Sequence, residues 1–149
     1  MSTLKHKSIF LADDDTDDRI LFQDALREVS KDTRLQMAND GLELMDILEE
    51  TVPPPPDVIF LDLNMPLKNG FECLADIKRT HKLKNIPVVI FSTSSQQDAI
   101  GKVYAQGAHY YICKPSSFEK LKMAISEILS RDLASHLTQP SREEFLLTF

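Results

Sequence analysis

Hydrophobic positions fall into five short runs along the chain, separated by stretches with a different period. Residues 9–12, 58–61, 88–91 and 110–113 are continuous apolar runs rich in β-branched or aromatic side chains. Runs of that length and composition suit strands buried on both faces. The remaining run, 33–38, alternates: Leu35 and Met37 fall on one side, Arg34 and Gln36 on the other. Alternation predicts an edge strand with one wet face.

Between the runs the period becomes helical. Phe22, Ala25, Leu26 and Val29 recur at spacings of three and four. So do Phe71, Leu74, Ala75 and the aliphatic stem of Lys78, then Ala99, Ile100, Val103 and Tyr104, then Leu121, Ala124, Ile125 and Ile128. A shorter helix is predicted over 42–48. Gly107 stands where a left-handed cap would end the fourth helix. Ser116 with Glu119 has capping-box spacing ahead of the fifth.

The order is therefore βα repeated five times, an α/β fold with a doubly wound parallel sheet and helices on both faces. In such sheets ligands sit outside the carboxyl ends of the strands, at the topological switch point. Chemistry is to be sought just past each apolar run. The first run is followed by Asp13, Asp14 and Asp15, the third by Asp62, Leu63 and Asn64, the fourth by Ser92 to Ser95, and the fifth by Lys114 and Pro115.

Composition narrows the setting. The 149 residues are 42% hydrophobic, enough for an unstapled core at this length. Lys plus Arg number 17 and Asp plus Glu 23, a net charge of -6 that argues against gripping nucleic acid through its phosphates. No apolar run approaches a membrane span, and the N-terminus lacks the apolar core of a signal peptide. Cys73 and Cys113 make no disulfide framework. A cytoplasmic protein that binds neither nucleic acid nor membrane is expected. The Pro53 to Pro56 run reads as a stiff connection.

Carboxylates gathered at one sheet edge repel, by roughly 4 kcal/mol for two charges about 4 Å apart at an effective dielectric of about 20. Such clustering calls for a bound cation or a shifted pKa. An all-oxygen ligand set with few carboxylates suits Mg²⁺, which readily takes a phosphate oxygen as a further ligand. A lysine and a hydroxyl complete a constellation suited to a phosphoryl group. Asp15, Thr16, Asp17 and Asp18 fit a plainer role, capping a helix and complementing its dipole. In the serine run one hydroxyl is expected to serve the site and the others to cap.

Competing motifs fail on spacing. An EF-hand beginning at Asp13 would need glycine and glutamate where Asp18 and Asp24 stand. A haloacid-dehalogenase-type phosphatase would need Thr or Val where Asp17 stands. There is no P-loop, and two distant cysteines with four scattered histidines make a poor zinc site.

Across residues 6–131 the chain resembles the receiver domain of two-component response regulators. The resemblance rests on Ile9-Phe10-Leu11-Ala12-Asp13-Asp14-Asp15, on Leu61-Asp62-Leu63-Asn64-Met65-Pro66 with Gly70, on Ile86-Pro87 leading to Ser92, and on Gly107 to Pro115. Asp13, Asp62, Ser92 and Lys114 follow one another at separations of 49, 30 and 22 residues, which match the family. It implies a flavodoxin-like fold with strand order 2-1-3-4-5, and Asp62 as phosphoacceptor. It also implies Mg²⁺ held by Asp13 (through water), Asp14, Asp62 and the Asn64 backbone carbonyl. Lys114 would pair with the phosphate, Ser92 and Tyr111 would be the switch residues, and the peptide bond before Pro115 would be cis. Serine stands at 92 where threonine is commoner, and Leu63 follows the phosphoacceptor position.

Further details resemble small regulators associated with phytochrome-like bacterial sensor kinases. The implied partners are a sensor histidine kinase or a histidine phosphotransfer protein, and a second copy through the fourth helix, fifth strand and fifth helix. Two alternatives are a phosphate-ester hydrolase acting through Asp62 and a pseudo-receiver that binds partners without phosphorylation. Residues 1–131 are expected to form the receiver and 132–149 a tail, with no output domain. In that tail Ser141 and Glu144 have capping-box spacing before Phe145, so docking and disorder are both open.

Overall fold

The computed structural model describes residues 7–131, 133 and 139–149. Five βα units follow in order: β1 (Ser8–Ala12), α1 (Thr16–Val29), β2 (Arg34–Ala38), α2 (Gly41–Thr51), β3 (Val58–Leu61), α3 (Gly70–Arg79), β4 (Val88–Ser92), α4 (Gln97–Ala105), β5 (Tyr110–Cys113) and α5 (Phe118–Ser130). A one-turn helix, α6 (Arg142–Phe145), then leads into a two-residue strand, β6 (Leu146–Leu147). The sheet order is β2-β1-β3-β4-β5-β6, with every pairing parallel.

The doubly wound order 2-1-3-4-5 is present, and the alternating run lies at the β2 edge. Five strands become six, because the tail adds β6 to the far edge. Leu146 pairs with Tyr111 and Leu147 with Ile112.

Alternation along each strand sorts side chains to two cores. Phe10, Ile59, Leu61, Val88, Ile90 and Tyr111 face α2, α3 and α4. Ile9, Leu11, Phe60, Val89, Phe91 and Ile112 face α1 and α5. In the second core Phe22, Phe60 and Phe91 meet edge-to-face with centroids 5.0, 5.8 and 6.0 Å apart. Edge-to-face pairs add about 0.5–1.5 kcal/mol each beyond the area they bury. These rings anchor β3 and β4 close below the strand ends where the polar residues emerge.

Caps fix where the helices begin. Asp15 caps α1 by accepting from the Asp18 N–H, and Asn69 with Glu72 closes a full capping box on α3. The fifth helix is capped by Ser117, not Ser116, through the Lys120 N–H. Adjacent serines offer the same hydroxyl, so spacing alone does not choose between them. No side chain caps α4, against the expectation for the serine run; the Ser92 and Ser94 hydroxyls accept from the N–H groups of Ser94 and Gln96 ahead of the helix. Gly107 adopts φ 101°, the left-handed conformation expected after α4. The cis peptide bonds precede Pro53 and Pro54; the bond expected to be cis before Pro115 is not among them. Both cysteines are free, and burial pushes the Cys73 thiol up to about 12.

The described part of the tail is docked. Phe145 is fully buried, with its ring 5.0 Å from Tyr104 and 6.3 Å from Tyr111. The Gln139 side-chain amide donates to the carbonyls of Tyr104 and Ala108, and the Tyr104 hydroxyl donates to the Pro140 carbonyl. Ser141 caps α6 by accepting from the Glu144 N–H. Leu146 packs on the α4 side of the sheet, and Leu147 and Phe149 on the α5 side, so the segment straddles the edge.

Two expected outcomes follow from this packing. A Cβ at Gly70 would lie 2.2 Å from the Asp62 carbonyl oxygen, whereas one at Gly101 meets nothing within 4 Å. In urea unfolding Gly70→Ala should therefore cost about 1–3 kcal/mol, and Gly101→Ala should add about 0.5–1 kcal/mol as a better helix former. Phe145→Ala empties a buried ring site and should cost about 3 kcal/mol, with faster amide exchange in 146–147. Unchanged stability and exchange would mean that the tail is not docked in solution.

Candidate functional site

The parallel ladder continues one residue beyond several strands, and this continuation places the site. Asp13 N–H donates to the Ala38 carbonyl at 3.1 Å, Asp62 N–H to Ala12 at 3.0 Å, and Lys114 N–H to Ser92 at 2.9 Å. The backbones of three polar residues are thereby fixed by the sheet itself. β1 and β3 are adjacent, yet the connections from β1 and β3 run to opposite sides. That reversal is the switch point where open α/β sheets bind ligands.

Asp13 and Asp62 are buried and Asp14 is exposed. Each can place one carboxylate oxygen so that all three lie within 4.8 Å of one another. The Lys114 ammonium enters between them, 2.8 Å from Asp13 Oδ2 and 3.1 Å from Asp62 Oδ2. It also reaches Asp18 Oδ2 at 2.8 Å. Three carboxylates thus contact one ammonium and a fourth, Asp14, lies close to two of them, which leaves a local excess of negative charge. An all-oxygen cluster of this kind fits a hard divalent cation, with Asp14 on the solvent side.

Further hydrogen bonds hold the carboxylates. Asp13 Oδ1 accepts from the Asp15 N–H at 3.0 Å, and the Asp13 carbonyl accepts from Arg19 at 2.7 Å. Asp62 Oδ1 accepts from the Leu63 N–H at 2.7 Å, leaving Oδ2 toward Lys114. Burial raises the Asp13 pKa above the ordinary value, and the Lys114 hydrogen bond opposes that rise. For Lys114 burial acts downward, but the hydrogen bonds it donates to Asp13 and Asp18 and the nearby negative charge outweigh it, and the ammonium is held more firmly protonated.

Ser92 is fully buried, and its hydroxyl accepts from the Ser94 N–H at 3.3 Å. Tyr111 is also fully buried, with its hydroxyl donating to the Ser94 carbonyl at 2.7 Å. The loop after β4 thus joins Ser92 to Tyr111, and the Tyr111 ring meets Phe145 of the tail. Asn64 is exposed and lines an open cavity of about 510 Å³ with Leu63, Phe71, Ser94, Ser95, Gln96 and Ala99.

The structure therefore brings Asp13, Asp14, Asp62 and Lys114 into one cluster, and sets Ser92 at the end of β4, Asn64 on the loop after β3 and Tyr111 on β5. Asp18 is the addition. Sequence reasoning gives it to the helix cap, yet only its backbone N–H is capped and its carboxylate turns to Lys114. Its position three residues after the N-cap, in the first turn of the helix leaving Asp13, is the signal that could have found it.

Comparison with known proteins agrees with this geometry. Residues 9–126 match the response regulator receiver domain family. Response regulator Rcp1 of Synechocystis sp. is 35% identical over 128 residues, covering 83% of this chain and 87% of its own. The probable methanogenesis regulatory protein FilR2 of Methanothrix harundinacea is 33% identical, covering 80% of this chain and 79% of its own. The structure of the phosphorylated cyanobacterial phytochrome response regulator RcpA superposes with TM-score 0.80 at 37% identity, over 92% of this chain and all of RcpA. The Mn²⁺-bound form of Rcp1 gives TM-score 0.75 at 34% identity, over 91% of this chain and 99% of that one. The chain belongs to the response regulator receiver domain family and is closely related to the phytochrome-associated regulators RcpA and Rcp1.

Proposed function

We propose that Asp62 accepts a phosphoryl group from a histidine of a sensor kinase or phosphotransfer protein, with Mg²⁺ bound by Asp13, Asp14, Asp62 and the Asn64 carbonyl. The observation that carries this reading is the convergence of Asp13, Asp14 and Lys114 on the buried Asp62 carboxylate. An Asp62 oxygen attacks phosphorus, the phosphorus–nitrogen bond breaks, and its electron pair returns to the imidazole. The product on the receiver is an acyl phosphate. When bound, Mg²⁺ offsets the negative charge of the transferring oxygens and of the acidic cluster.

Lys114 supplies the second cation at the same oxygens. Its contact with Asp62 Oδ2 puts an N–H beside the atom that gains the phosphoryl group. Burial of Asp62 and the Leu63 N–H on Oδ1 orient the nucleophile. Ser92, once it donates to the phosphoryl group, would pull on the 92–94 loop that receives the Tyr111 hydroxyl. The switch thereby reaches the α4–β5–α5 face, where a kinase or a second copy would read it.

The tail belongs to that reading. The described residues 7–131 carry the five βα units of the receiver, and 139–149 lie on the edge of the face proposed for self-association, packed on Tyr104 and Tyr111. The resemblance to RcpA and Rcp1 favours a phytochrome-like kinase as the donor. A cytoplasmic location accords with such a donor, and no described helix is long and apolar enough to cross a membrane.

Incubation with acetyl phosphate and intact-mass measurement test the proposal. One phosphoryl group, about 80 Da from its composition, should appear in a Mg²⁺-dependent and alkali-labile form, as an acyl phosphate requires. Asp62→Asn should fold and gain nothing. Asp14→Ala should weaken Mg²⁺ binding by about tenfold or more. Modification that persists in Asp62→Asn, or forms equally well in chelator, would contradict the assignment.

A further inference from the structure

The Lys114 ammonium has three N–H donors, and three carboxylates stand within reach of them. Phosphorylation turns one Asp62 oxygen into an ester oxygen, a weak acceptor, and sets phosphoryl oxygens beside an ammonium that also contacts Asp13 and Asp18. As the ammonium turns to those oxygens it draws away from the carboxylates that keep their charge, and these are not equivalent. The side chain of Asp13 is 1% exposed, whereas that of Asp18 is 34% exposed. A buried carboxylate that loses its partner is stranded in low dielectric; a half-exposed one is rehydrated.

Position points the same way. Asp13 is fixed by the sheet ladder and by the Asp15 N–H, and Asp62 by the ladder and the Leu63 N–H. Among the described residues Lys114 Nζ is the one partner of the Asp18 carboxylate, and the α1 cap does not use that side chain. Asp18 can leave without disturbing either the helix or the cation cluster.

We infer that Asp18 is a positioning residue. It holds one donor of Lys114 at the mouth of the site until a phosphoryl oxygen replaces it, so that phosphorylation exchanges Asp18 for phosphate on one ammonium. This inference rests on Asp62 as phosphoacceptor and deepens that reading. In the resting protein Asp18 keeps the long lysine side chain extended across the site. During phosphorylation it competes with the incoming oxygens and restrains occupancy. The phosphorylated protein then carries a free Asp18 carboxylate on the exposed first turn of α1, a local change in charge beside the site.

Beryllofluoride, a phosphoryl mimic, with saturating Mg²⁺ provides the test by calorimetry on the full chain. Asp18→Asn removes the competitor and should tighten mimic binding by about fivefold, the fold-change matching an exposed ion pair. Asp18→Glu should restore the wild-type affinity. In a Lys114→Ala background Asp18→Asn should change nothing, because the exchange needs the ammonium. An unchanged affinity in Asp18→Asn, or an equal gain in both backgrounds, overturns the inference; the second result would be simple charge repulsion across the site. A crystal structure of the mimic-bound wild type decides independently of the mutants: Lys114 Nζ should lie on the mimic and beyond hydrogen-bond distance of Asp18. Lys114 still bound to Asp18 overturns the exchange while leaving Asp62 as the acceptor. A wild type that binds no mimic in Mg²⁺ would instead overturn the acceptor assignment, and the exchange with it.

Discussion

One ammonium among carboxylates is the constraint on which this site depends. Asp13, Asp18 and Asp62 come from the β1 and β3 ends and the first turn of α1, and each touches Lys114 from the β5 end. Two carboxylates about 4 Å apart repel by roughly 4 kcal/mol at an effective dielectric of about 20. A fold that brings them together must supply positive charge at the same place. Lys114 supplies part of it, and the remaining excess leaves room for a divalent cation.

The sheet makes this arrangement rigid. The ladder carries one residue past the ends of β1, β3 and β5, so the backbones of Asp13, Asp62 and Lys114 are set by pairing and not by loops. Below them the Phe22, Phe60 and Phe91 rings lock β3 and β4 to α1. Above them Gly70 lets α3 start against the Asp62 carbonyl, where a Cβ would not fit. On the other side, the 92–94 loop, Tyr111 and Phe145 form a contiguous packed path from the site to the sheet edge. Tyr111 thus touches both the loop that contacts Ser92 and the Phe145 ring of the tail.

Much of this was legible in the sequence because its signals were strong and redundant. Continuous β-branched runs gave the central strands, the alternating run gave the β2 edge, and the polar residues just past four runs gave the cluster. The sixth strand was not legible: Leu146 and Leu147 are two residues with no period, and only the exposed edge of β5 makes them a strand. The capping-box spacing of Ser141 and Glu144 did mark α6. The Ser117 cap was missed by one residue because a neighbouring serine is chemically the same. Asp18 was missed for a different reason. Its partner lies 96 positions away, and an acidic first turn is satisfied locally by the helix dipole. The first-turn position that marks it is also the one a dipole-complementing carboxylate occupies, so the position alone does not separate the two roles.

The most direct test of the charge-balance account is the stability of Lys114→Met, which keeps a long apolar stem and removes the ammonium. Urea unfolding should be measured with Mg²⁺ and with chelator. Without the cation the variant should lose about 3 kcal/mol relative to wild type, the cost of leaving a buried charge unpaired. With saturating Mg²⁺ the deficit should shrink, because the cation takes over part of the compensation and binds only the folded protein. A deficit of the same size in both conditions, or none in either, would contradict the claim that Lys114 and a bound cation balance the same carboxylates.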